Sequence, residues 1–189
     1  MNFPIDISNI SLNTDRLTLR PWCQSDLEDF YEYASVDGVG QMAGWAPHDS
    51  IETSRSILTR FIEGKKTLAL VHNGKVIGSL GIEEYDEERF PELDSLKCRE
   101  LGFVLSKAYW GKGFMPEAVN RVIDYLFAEL ELDVILCGHF LSNAQSRRVQ
   151  EKCGFKHYDF GQFRTRMGTV EDDEQRILYR EEWLKRKRI

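Results

Sequence analysis

One dipeptide constrains this chain more than any other feature. Asn73-Gly74 stands between two apolar runs, Thr67 to His72 and Lys75 to Tyr85, and Asn-Gly readily takes both positive φ angles of a two-residue hairpin turn. Two antiparallel strands follow, and the rest of the chain must extend or cover them. Arg16-Leu17-Thr18-Leu19-Arg20 alternates with period two until Pro21, which reads as a half-buried first strand. Further strands are expected at Arg99 to Leu105 and Val134 to Phe140, with closing strands at Phe155 to Phe163 and Gln175 to Glu181.

Helices are expected between these strands. Ser25-Asp26-Leu27-Glu28 has the capping-box form, with Leu27, Phe30, Tyr31 and Ala34 on one face behind it. Ser50 caps a second helix that Gly64 ends. Pro116 opens a third, with Ala118, Val119, Val122, Ile123, Leu126, Phe127 and Leu130 inward, and Asn143 to Cys153 forms a fourth, stopped by Gly154. Strands alternate with helices after an antiparallel start, so a mixed α/β sheet flanked by helices is expected. Asp86 to Leu96 is too polar for core and reads as an exposed loop.

At 189 residues the chain suits a single domain over 1–189, since a chain of this length buries about 70% of its unfolded surface around one core. Lys+Arg 25 against Asp+Glu 31 gives a net charge of −6, a field that opposes phosphate polymers and disfavours general nucleic-acid binding. No run approaches the ~20 apolar residues of a membrane span, and the opening residues lack the form of a signal peptide, so a cytoplasmic protein is expected. Cys23, Cys98, Cys137 and Cys153 lie far apart. No CxxC pair or zinc-ligand spacing occurs, so no metal site is expected.

The chemistry concentrates in Ala108-Tyr109-Trp110-Gly111-Lys112-Gly113-Phe114-Met115-Pro116-Glu117-Ala118. Gly111 and Gly113 let the main chain approach a ligand, and the helix start adds free N–H groups and partial positive charge. A pyrophosphate fits there, as does a bare strand-to-helix turn. There is neither a GxxxxGK[ST] motif nor a GxGxxG followed by a suitably spaced acidic residue.

On these residues the sequence resembles the GNAT superfamily of acyl-CoA-dependent N-acetyltransferases, and within it the RimJ/RimL-like group. The resemblance runs from Thr14-Asp15-Arg16-Leu17-Thr18-Leu19-Arg20-Pro21 through Glu100 to Leu105 and Trp110 to Ala118. It takes in Asn143-Ala144-Gln145-Ser146 and Glu151-Lys152-Cys153-Gly154-Phe155, and closes with Tyr179-Arg180-Glu181-Glu182-Trp183. It implies a mostly antiparallel sheet with splayed central strands and acetyl-CoA as acyl donor. Phe103, Val104 and Leu105 match the strand that pairs with pantetheine. Trp110, Gly111, Lys112, Gly113, Phe114 and Met115 match the pyrophosphate loop. Asn143 matches a side chain that bonds the pantetheine arm, with Ser146 one turn beyond it.

Two departures stand out. Trp110 and Met115 occupy the Gln/Arg and Gly/Ala places of the superfamily loop, and Gln150 stands where many members carry a tyrosine that protonates the leaving thiolate. Ser146, Tyr158 or solvent then takes that role. Deprotonating the attacking ammonium suits a carboxylate; Glu100 is the first candidate, with a structural salt bridge as its alternative role, and Glu83 and Glu84 stand behind it. Val104 N–H is the expected donor to the thioester oxygen. Trp45 and His48 are expected either along the acceptor site or in loop packing.

The resulting expectation is direct transfer of acetyl to a primary amine, either a protein N-terminus or a small molecule. A non-catalytic acyl-CoA-binding module is the alternative. The acidic stretches Asp86 to Asp94 and Glu171-Asp172-Asp173-Glu174 lean toward cationic acceptors or mark only a solvated surface. The basic tail Lys185-Arg186-Lys187-Arg188 reads as a solvated end or an RNA contact. Monomer and homodimer both stay open.

Overall fold

A computed structural model describes residues 1–187. The elements in chain order are β1 Leu12–Asn13, β2 Thr18–Pro21, α1 Leu27–Ala34, α2 Ile51–Gly64, β3 Thr67–His72, β4 Lys75–Glu83, β5 Cys98–Leu105, α3 Phe114–Ala128, β6 Val134–Phe140, α4 Ala144–Cys153, β7 Lys156–Arg164, β8 Val170–Tyr179 and α5 Arg180–Lys187. They build an eight-stranded sheet in the order β1-β2-β3-β4-β5-β6-β8-β7. Every neighbouring pair is antiparallel except β5 with β6.

The hairpin forms as its turn residues demand, with φ 50° at Asn73 and 79° at Gly74. Period two in its strands feeds two cores. Leu68, Leu70 and Ile77 pack into the cluster that holds Ala118, Val122 and Leu126 of α3, while Ala69 and Val76 join Leu27, Phe30 and Leu58 of α1 and α2 on the opposite face. Ser50 accepts from Thr53 N–H and starts α2 as expected.

Several expectations are corrected. The strand expected from Arg16 runs Thr18–Pro21 and is the second of the sheet, preceded by and paired with the short β1, while Arg16 is drawn away to a 2.6 Å ion pair with Glu117. The capping box before α1 uses Cys23 and Asp26 rather than Ser25 and Glu28: Asp26 accepts from Cys23 N–H at 2.9 Å and takes Arg20 in a two-point ion pair. The polar loop after β4 returns Tyr85, Phe90 and Leu93 beneath the sheet, where they pack with Val134, Leu136 and Ile177. The last strand begins at Val170 and ends at Tyr179, so Glu171 to Glu174 is strand, with Asp173 and Glu174 each only 4% exposed. The basic tail is anchored through residue 187: Arg186 donates to the carbonyls of Cys153 and Gly154, and Lys187 pairs with Asp124. Arg188 lies outside the described residues.

Candidate active site

The parallel strands β5 and β6 pair at Cys98↔Val134, Arg99↔Ile135 and Glu100↔Leu136, then part. From there β5 stays on β4 as far as Leu105, and β6 stays on β8 as far as Phe140. A cleft of about 460 Å³ opens between them. Ser106 N–H donates to Ile77 C=O, and backbone groups along an antiparallel ladder point alternately to the two sides. The polar backbone groups of Glu100, Gly102 and Val104 therefore face β4, whereas those of Phe103 and Leu105, beyond the last pair with β6, face the opening. This corrects the expectation for Val104: its side chain lines the cleft, but its N–H is engaged by β4.

At the far end, Gly111 and Gly113 adopt φ 75° and 79°, the left-handed region that an L side chain enters at a cost. Among the described residues no hydrogen bond engages the N–H of Gly111, Lys112 or Gly113. Arg16 clamps the loop by donating to Lys112 C=O at 3.0 Å, and lies 4.2 Å over the Phe114 ring. Phe114 is core, so only its backbone faces a ligand; Met115 and Trp110 line the cleft, and Trp110 Nε1 donates to Leu105 C=O at 2.8 Å. Free amides at a helix start beside an open strand edge fit the pyrophosphate and pantetheine of acetyl-CoA.

The opposite wall is the start of α4. Asn143 accepts Ser146 N–H at 3.0 Å and donates to Met42 C=O at 3.2 Å, which fixes the amide and leaves its second N–H and second lone pair for a ligand. Gln150 is fully buried; its Nε2 donates to Gly138 C=O at 3.0 Å and to Ser146 Oγ at 3.2 Å. That orientation turns Gln150 Oε1 to His139 Nδ1 at 3.2 Å, so Nδ1 carries the hydrogen. His139 lines the cleft, and burial lowers its pKa against the opposing pull of Glu174. Its Nε2 is 3.4 Å from Glu174 Oε2, within ion-pair distance but not aligned as a hydrogen bond.

Four carboxylates line the cleft. Glu83 pairs with Lys66 at 2.7 Å, Glu84 with Arg99 at 3.7 Å and Asp173 with Arg89 at 3.0 Å. Among the described residues Glu100 has no cation within ion-pair distance. Its polar partner is Gln175, whose Nε2 donates to Oε1 at 3.0 Å. Burial raises its pKa, opposed by the Gln175 hydrogen bond and by Arg89 and reinforced by Asp173 and Glu83.

The cleft thus brings together Glu100, Phe103, Val104, Leu105, Trp110, Met115, Asn143 and Ser146. Tyr158 does not join them, since its hydroxyl donates to Glu92. Trp45 and His48 pack on each other at 5.1 Å, and His48 bonds Ser54, so that segment contributes Val39, Met42 and Ala43 to the wall instead. Gln175 escaped the sequence reading as a site residue, and His139 was not set apart from His48, His72 and His157, which are scattered along the chain. Gln175 was legible only as a strand residue, and nothing in an apolar run marks which histidine faces a cleft.

This splayed sheet and glycine loop define an acyl-CoA-dependent transferase, and the comparisons with known proteins agree. Residues 16–156 match the acetyltransferase (GNAT) domain model, so the chain belongs to the GNAT acetyltransferase family. It is similar to the probable N-acetyltransferase YjcK of Bacillus subtilis, 30% identical over 159 residues and covering 80% of this chain and 81% of that one. The spermidine N(1)-acetyltransferase of Vibrio cholerae is 23% identical over 142 residues, 74% and 79% of the two chains. The ribosomal-protein-S5-alanine acetyltransferase of Vibrio fischeri shares the fold with a TM-score of 0.71 at 22% identity, over 93% of this chain and 99% of that one. The protein is an N-acetyltransferase that uses acetyl-CoA. No helix among the described residues is long and apolar enough to cross a membrane.

Proposed function

We propose that the chain transfers acetyl directly to a primary amine, a protein N-terminus or a small-molecule amine, with Glu100 taking the proton from the incoming ammonium. The observation that carries this reading is that Glu100 alone among the cleft carboxylates lacks a neutralising cation. Its raised pKa brings it closer to neutrality, where a general base works best while still ionised. Acetyl-CoA, when bound, supplies an activated acyl group and a thiol leaving group. The amides of Gly111 to Met115, the open edge of β5 at Phe103 and Leu105, and Asn143 would hold it.

Phe103 N–H faces the opening and suits a donor to the carbonyl oxygen of the thioester, in place of Val104. Gln150 donates into Ser146 Oγ, which leaves the serine hydrogen free to turn into the cleft as a donor to the departing sulfur. The unpaired Glu100 among the carboxylates lining the cleft supports a cationic acceptor, and a relative bearing the name of a spermidine acetyltransferase points the same way. Thiol release from acetyl-CoA tests the reading across polyamines, amino compounds and peptides with free N-termini. Release is expected with at least one primary amine and not with its N-acetylated counterpart; silence across the panel would overturn it.

A further inference from the structure

We propose that Gln175 is the positioning residue for Glu100, fixing both the aim and the ionisation of that carboxylate; this rests on the reading of Glu100 as the base. Gln175 on β8 stands opposite Gly138 on β6, and Glu100 lies one strand further on. To bridge that distance the glutamine amide must lie across β6. It does so because position 138 has no side chain: a Cβ there would sit 2.7 Å from Gln175 Nε2 and 3.3 Å from Glu100 Oε1. Gly138, between Cys137 and His139 on β6, is the gap through which Gln175 reaches Glu100.

The amide is arranged for Glu100 rather than for itself. Gln175 is 7% exposed, its Nε2 is on Glu100 Oε1 at 3.0 Å, and its Oε1 is buried with no hydrogen-bond partner among the described residues. An apolar side chain would fill the same space without leaving a buried acceptor unsatisfied, a defect that calls for an explanation. The explanation here is the N–H held against a carboxylate. With Oε1 taken by Gln175, the second oxygen of Glu100 is the one left for a proton.

The groups facing Glu100 are Glu83 from β4, Asp173 from β8, Arg89 from the loop before β5, and the Cys98 and Cys137 thiols, both kept protonated by burial. Glu83 and Asp173 favour the protonated form, while Arg89 and the Gln175 N–H favour the carboxylate. Removing the N–H therefore moves the Glu100 titration upward, by about one pH unit for a hydrogen bond to a charged group. The acid limb of the rate profile moves with it.

Two variants test this. Gln175→Met keeps length and volume without the donor, and Gly138→Ala displaces the amide while leaving Gln175 in place. Carbon-13 NMR titration of the glutamate carboxyls in the ligand-free protein, with Glu100 identified by its absence in Glu100→Gln, should show the midpoint rising by about one unit in both. With the best amine of the panel, kcat should fall at neutral pH and recover at high pH, with the acetyl-CoA KM unchanged. A midpoint unmoved in both variants would overturn the proposal. If the midpoint moves as stated while Glu100→Gln turns over like wild type, the assignment of the base fails and the Gln175–Glu100 coupling stands.

Discussion

Gly113 offers the sharpest test of the cradle, because a substitution there separates two effects. Its φ of 79° lies in the left-handed region, where an L residue costs roughly 1–2 kcal/mol and a β-branched one more. Crowding adds little, since an added Cβ would first meet Arg16 Nη2 at 3.5 Å, an ordinary contact. If Gly113→Ala keeps the loop in place, the folded state loses about that 1–2 kcal/mol, and Tm falls by about 2–8 °C for a chain of this size. Gly113→Val should instead swing the amides out of line and abolish acetyl-CoA binding in titration calorimetry. The control is Gly74→Ala, which carries the same φ of 79° with nothing within 4 Å of its added Cβ. It should lower Tm comparably and leave acetyl-CoA affinity unchanged. A folded Gly113→Val protein that binds acetyl-CoA like wild type would refute the placement of the pyrophosphate.

Three further outcomes follow from the same geometry. Asn143→Ala removes both a helix cap and the tie to Met42, so Tm should fall by an amount corresponding to about 1–2 kcal/mol while the acetyl-CoA KM rises, whereas Asn143→Ser should restore most of the Tm. Ser146→Ala should slow turnover less than Glu100→Gln, because a thiolate leaves readily near neutral pH; a slower Ser146→Ala enzyme would shift the emphasis to thiolate protonation. Because burial raises the folded pKa of Glu100, its protonated form is favoured in the native state, and stability falls as pH rises from the unfolded value through the folded one. Glu100→Gln should therefore melt above wild type at neutral pH, with the gap closing below about pH 4, and a lower Tm at pH 7 would contradict this.

Local signals in the sequence located much of this molecule. The Asn73-Gly74 turn, the Ser50 cap, the Gly154 stop and the strand-glycine-helix segment each depend on backbone preferences within a few residues, and each stands where the sequence placed it. Most of the errors came from partners distant in sequence. Glu171 to Glu174 looked like a solvated acidic run because Arg89, which neutralises Asp173 in the fold, lies 84 residues away. Phe90 and Leu93 were hidden in a polar segment that only the closed sheet can shelter. In the site, the resemblance placed the loop, Asn143 and Ser146 together, but the direction of Val104 N–H depends on the register with β4. Gln175 was invisible because its role requires Gly138, a residue on another strand that acts by leaving space.

The central claim is that an un-neutralised carboxylate on the splayed strand removes the proton from the acceptor. The most direct measurement is the pH dependence of kcat/KM for wild type and Glu100→Gln, taken with the amine that gives the fastest thiol release. Wild type should show an acid limb that plateaus once Glu100 is ionised. The variant should be slower by roughly 10², with acetyl-CoA affinity nearly unchanged, and its rate should keep climbing as solvent replaces the lost base. A Glu100→Gln enzyme with the rate and pH profile of wild type would contradict the account.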